Sequence, residues 1–145
     1  MGLLSRLTGK VMPQKKAADD VLLLHTMMLM SGADGVFDME EKAGLNAYFE
    51  QLPEFKGKDF DALFEDAVKV VRRYPNLKDS VKAIAELSTP ALKTKAFLIA
   101  ADIALSSGEI DEAEDQMLEA MQRTLAVDDA TASKIIDVLS IKYAT

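Results

Sequence analysis

The segment Val21 to Met30 reads VLLLHTMMLM, ten consecutive residues in which only His25 and Thr26 interrupt an apolar run. A helix that crosses a bilayer needs roughly 20 apolar residues. A surface helix needs a polar face, which this run does not have. The run therefore predicts a helix buried among other helices. At 145 residues the chain is the size of a single domain that can bury a core of its own.

The rest of the chain follows helical periodicity with recognisable stops. The helix containing the apolar run extends from Ala17 to about Gly32, and Asp19 and Asp20 suit the positive end of its dipole. Glu40 to Gln51 follows and ends before Pro53. Asp59 to Tyr74 places Phe60, Leu63, Phe64, Ala67, Val68 and Val71 at spacings of three and four. Leu77 to Leu87 is a shorter amphipathic segment. Thr89 and Pro90 open the next helix as N-cap and first helical residue, and it runs to about Ser107. Glu112 to Val127 and Asp129 to Tyr143 complete the chain, the last helix capped by Asp128. Period-two alternation is nowhere long enough for a strand. The expected fold is all-α, a compact bundle of about seven helices over residues 17–145, preceded by a basic arm at 1–16.

Composition removes several classes of function. With no cysteine, disulfides, thiolate metal sites and thiol catalysis are excluded. One histidine leaves no His-rich zinc site. The net charge of −7 argues against a nucleic-acid partner, because phosphate binding needs a basic footprint. Charge is unevenly placed: residues 1–16 hold Arg6, Lys10, Lys15 and Lys16 and no acid. With Leu3, Leu4 and Leu7 the arm suits an acidic partner or, at most, peripheral contact with an anionic membrane. A signal peptide and a myristoylation pattern are both missing from this N-terminus, so a cytoplasmic location is expected.

The two halves of the chain carry one motif twice. SGADGVFDMEEKAGL spans Ser31 to Leu45, and LSSGEIDEAEDQML spans Leu105 to Leu118. At an offset of 73 residues Gly35 falls on Gly108, Phe37 on Ile110, Asp38 on Asp111, Glu41 on Glu114 and Leu45 on Leu118. Each copy follows an apolar helix and opens an acidic one, which predicts two pseudo-twofold-related helical hairpins.

Helix capping accounts for much of the motif. Gly35 and Gly108 stand where a helix ends and a left-handed backbone is needed. Asp38 and Asp111 are N-caps, Glu41 and Glu114 complete capping boxes, and Phe37 and Ile110 are placed as hydrophobic staples. Capping does not require Asp34. The tail Asp-Gly-x-apolar-Asp-x-x-Glu also matches the second half of a calcium-binding loop, where such positions supply oxygen ligands. The first and third loop positions would be Met30 and Gly32 in one copy and Ile103 and Leu105 in the other, and apolar groups cannot ligate a hard cation. Two half-loops can still build one shared site if Asp34, Asp38, Glu41, Asp111 and Glu114 converge. Two readings stay open, a shared cation site and two capped helices with a solvated acidic face.

At this motif the chain resembles the TerB-like tellurite-resistance family. The resemblance rests on Ala33-Asp34-Gly35-Val36-Phe37-Asp38-x-x-Glu41-Lys42 and its echo Ser107-Gly108-Glu109-Ile110-Asp111-x-x-Glu114. It covers most of the chain and implies an all-helical domain of bacterial stress-response systems, also found attached to DnaJ-type co-chaperones. It further implies that Asp34, Asp38, Glu41, Asp111 and Glu114 form a metal-associated or acidic interaction surface. The cofactor expected at such carboxylates, if any, is a divalent cation, Ca²⁺ or Mg²⁺ before Zn²⁺. Ser107 departs from the family pattern, standing where a second Asp belongs, and removes one charge. Tellurite is an oxyanion that acids repel, and the chain has no thiol to reduce it, so any contribution to resistance is expected to be indirect.

The resulting expectation is a non-enzymatic module that works with other proteins of a stress-response complex. The alternatives are a metal-free adaptor using its acidic face or a groove at Met27, Met28 and Met30, and a carboxylate-based metal hydrolase. The hydrolase lacks companion Lys, Arg or His near the motif beyond Lys42. His25 reads as a core histidine. Asp102, an acid on the apolar helix before the second motif, needs a partner or a solvent-facing slot and is a further candidate for the acidic cluster, as is Ser107.

Overall fold

The computed structural model describes residues 17–33 and 39–145. The basic arm, and Asp34, Gly35, Phe37 and Asp38 of the first motif, lie outside the described residues. Among the described residues there are six α-helices and two 3₁₀ segments, and no strand. The helices are α1 (Asp19–Ser31), α2 (Met39–Phe49), α3 (Phe60–Val71), α4 (Pro90–Ser106), α5 (Glu112–Thr124) and α6 (Asp129–Lys142). The 3₁₀ segments are Pro53–Phe55 and Asp79–Glu86.

The apolar run sits at the centre. Every residue of α1 from Val21 to Met30 is buried. The helix packs on α2, α3, α4, α5 and the 3₁₀ segment Asp79–Glu86. Such a helix has no solvent face to keep polar, which explains the uninterrupted run. Met27, Met28 and Met30 are core residues, so they offer no methionine-lined groove to a partner. At its N-terminus Asp19 accepts hydrogen bonds from the Ser88 backbone N–H (3.0 Å) and hydroxyl, which ties the start of α1 to the start of α4.

Local signals set the boundaries elsewhere. Asp59, Thr89, Asp111 and Asp128 each accept a hydrogen bond from the backbone N–H three residues on, capping α3, α4, α5 and α6. Pro90 follows Thr89 at the first helical position. Phe49 stacks on Phe55 at 4.2 Å and meets Phe60 edge-on at 5.2 Å, closing the turn between α2 and α3. The segment expected as an amphipathic helix at 77–87 is a 3₁₀ helix over Asp79–Glu86. Its buried positions Ala83 and Ile84 lie three and four residues beyond the buried Ser80, a spacing that α and 3₁₀ geometry serve equally.

The two expected hairpins are both present as packed neighbours, α1 on α2 and α4 on α5. The final helix α6 packs on α4.

Candidate functional site

The second motif is a compact turn between α4 and α5. The Gly108 N–H donates to the Leu105 carbonyl (3.1 Å), and Gly108 turns the chain at φ +85°. A Cβ there would meet nothing within 4 Å, so glycine is required by the backbone conformation and not by space. The Ser107 hydroxyl lies 2.6 Å from the Glu109 carbonyl and 3.1 Å from that of Ala104, pinning the turn to the last turn of α4. Asp111 and Glu114 form a full capping box: Asp111 Oδ1 accepts from the Glu114 N–H (2.8 Å), and the Asp111 N–H donates to Glu114 Oε1 (3.2 Å). Ser107, Glu109, Ile110, Asp111 and Glu114 together line an open concavity of about 360 Å³.

Ile110 does not form the expected staple. It remains 39% exposed, and the position four residues into α5, where a staple needs an apolar partner, is Asp115. Ile110 turns instead onto a neighbouring groove between α4, α5 and α6.

The first motif is described at its two ends. The Gly32 N–H donates to the Met28 carbonyl (2.9 Å), and Ala33 is buried. Glu41 lies in the first turn of α2. Beside it Lys42 reaches Asp61 at 3.7 Å and covers the Phe64 ring at 4.7 Å, a contact between α2 and α3. The entry to the first motif also touches the second. Gly32, Ala33 and Ala113, the last in the opening turn of α5, line one depression of about 310 Å³. Asn76 and Asp79 line it too, with the Asn76 amide oxygen capping the Asp79 N–H at 2.8 Å. Neither was suggested by the repeat, because Asn76 comes from the connection after α3 and Asp79 from the start of the 3₁₀ segment.

The motif's donors are carboxylates, the chemistry that suits Ca²⁺ or Mg²⁺. Among the described residues no three Asp, Glu or His side chains group closely enough to hold an ion. The second motif by itself supplies Asp111 and Glu114, and a shared site would need carboxylates of the first.

Asp102 has partners of a different kind. This buried residue on α4 (6% exposed) accepts from the Tyr48 hydroxyl of α2 at 2.7 Å, from the Tyr143 hydroxyl, and from Lys142 Nζ at 3.2 Å to both oxygens. Burial pushes its carboxyl up. The hydrogen bonds from Tyr143, Tyr48 and Lys142 outweigh that and hold it below the ordinary range. Burial and the bond to Asp102 raise the Tyr48 phenol well above its usual value. The cluster joins α2 and α4 to the end of α6. Sequence separations of 54, 40 and 41 residues kept these partners out of view. Lys95, further back on α4, pairs with Glu54 at 2.6 Å.

His25 is fully buried on α1. Its Nε2 lies 3.0 Å from the Ser80 carbonyl, so this nitrogen carries the proton. Nδ1 has no hydrogen-bond partner. Desolvation lowers the imidazole pKa from 6.5 to about 4, against the Ser80 bond that favours the charged form. The ring is neutral at physiological pH.

A family model described as tellurite resistance protein TerB matches residues 14–136. That is most of the chain and includes both motif copies, so the chain belongs to the TerB family. No curated protein and no solved structure gives a match.

Proposed function

Proceeding from that membership, we propose that this TerB-family chain is a non-catalytic module of tellurite and stress resistance whose repeated acidic motif holds a divalent cation and whose loaded form is read by a partner protein. The observation that carries the reading is the shared depression. Ala33, one residue before Asp34, lines the same hollow as Ala113, which sits between the capping pair Asp111 and Glu114. Ala33, the last described residue before the acids of the first motif, thus lies beside the opening turn of α5. A cation in this region would offset the repulsion among carboxylates gathered from both copies. Ser107 makes the site asymmetric and favours one ion over two.

Calorimetric titration of Ca²⁺ and Mg²⁺ into chelator-stripped protein tests this. Saturable binding is expected in the parent chain and none in the Asp34→Asn/Asp38→Asn variant. Equal heats in both would remove the first motif from any site.

A second reading has its own support. Asp111 and Glu114 are already engaged in capping, and the groove between α4, α5 and α6 is rimmed with acid. On that basis the module is a metal-free adaptor that docks a basic segment. Partner capture that is unchanged by chelator would favour it.

A further inference from the structure

A groove of about 400 Å³ between α4, α5 and α6 touches the second motif. Its floor is Phe97, Leu118 and Ile136, and its edge includes the half-exposed Ile110. Around that floor stand Asp115, Glu119, Asp129 and Asp137, all exposed, and none of the lining residues is basic. An apolar trough with a rim of one charge suits a segment with leucines on one side and cations on the other.

The chain carries a segment of that composition. Residues 1–16 contain Leu3, Leu4 and Leu7 together with Arg6, Lys10, Lys15 and Lys16, and no acid. With a chain total of −7 and an arm of +4, residues 17–145 carry −11, so the arm faces a body of opposite charge. The described chain begins at Ala17, next to α1, whose Asp19 is bonded to Ser88 just before α4. Phe97 lies seven residues into α4, roughly 10 Å along its axis. Sixteen extended residues span up to roughly 50 Å, so the arm reaches the groove with length to spare. Tethering also gives it a local concentration on the order of millimolar, which a separate peptide would have to match.

We propose that residues 1–16 fold back onto this groove, with the leucines on its Phe97–Leu118–Ile136 floor and Arg6 and Lys10 against its acidic rim. The arm then covers the apolar surface beside the second motif and competes with any partner that uses it.

The chain has no cysteine, so Ser5→Cys places a single nitroxide label on the arm of the full-length protein. Paramagnetic broadening is expected to concentrate on Leu118, Ser133 and Ile136, several-fold above that on the exposed face of α3, and to survive dilution. In the Glu119→Lys/Asp137→Lys variant that contrast should be lost. Both positions are exposed, and unchanged helical circular dichroism would show that the fold is kept. Even broadening over the surface, or broadening centred elsewhere, overturns the proposal. So does broadening seen only between labelled and isotope-enriched copies, which would assign the groove to a second molecule.

Discussion

Asp102 Oδ2 and the Tyr48 hydroxyl meet at 2.7 Å and tie α4 to α2. Lys142 and Tyr143 complete the shell from the end of α6. The partners differ in exposure: the Lys142 side chain is 55% exposed, whereas that of Asp102 is 8%. Solvent screens the lysine, so the hydrogen bonds of the buried acid dominate. Asp102→Ala should cost about 3 kcal/mol, because it leaves the tyrosine hydroxyls without their acceptor. Lys142→Ala should cost no more than about 1 kcal/mol. Urea unfolding of the two variants checks the order, and equal losses would contradict it.

The same cluster gives a pH dependence. Asp102 titrates below the ordinary carboxylate range in the folded protein. Its contribution is therefore present above the unfolded carboxyl pKa and is lost as pH falls through the lower folded value. Asp102→Asn should remove this part of the acid dependence, seen as a shallower fall in stability on the acid side.

His25 acts over a higher window. Its folded pKa is about 4 against 6.5 unfolded, so the unfolded chain binds the extra proton first as pH falls. Stability should be unaffected by this group above pH 6.5, decline between 6.5 and 4, and lose nothing further from it below. The total is about 3 kcal/mol. An imidazole proton resonance titrating near pH 4 in the native state is the direct check; a midpoint near 6.5 would contradict the burial argument.

Two glycines with open space around them should respond in opposite directions. Gly108 sits at φ +85°, and Gly108→Ala should destabilise by about 1 kcal/mol through the backbone alone. Gly44 lies exposed inside α2, and Gly44→Ala should stabilise by about 0.5–1 kcal/mol. Thermal unfolding of the pair separates conformational cost from packing.

How much of this was readable beforehand depends on range. Thr89-Pro90, Asp128 and the Asp111–Glu114 box act within one turn, so the residues that cap are the residues that predict the cap. The run from Val21 to Met30 announced a helix buried on all sides because no other placement satisfies it. The shell of Asp102 was hidden, since nothing local marks Tyr48 or Lys142 as its partners. Asn76 and Asp79 were likewise invisible as neighbours of the first motif. The apolar spacing of the Asp79–Glu86 segment fits either helix, so it did not mark the 3₁₀ form, and nothing local marked the Ser80 carbonyl as the partner of His25. Ile110 missed its staple for a reason the sequence did hold, the acid at position 115.

Capping and ion binding make separable demands on Asp111. Asn caps a helix about as well as Asp but brings no charge. Asp111→Asn should therefore hold the metal-free stability within roughly 0.5 kcal/mol, whereas Asp111→Ala should lose about 1 kcal/mol.

The most direct measurement is thermal unfolding of chelator-stripped protein, parent and Asp111→Asn, across a Ca²⁺ or Mg²⁺ series. An ion bound only by the native state raises the midpoint with ligand concentration as RT ln(1 + [L]/Kd). The cation reading predicts a saturable, ion-specific rise in the parent that is reduced or lost in Asp111→Asn, with equal midpoints in chelator. A flat response in both proteins would contradict it and leave the repeated motif as a pair of helix caps.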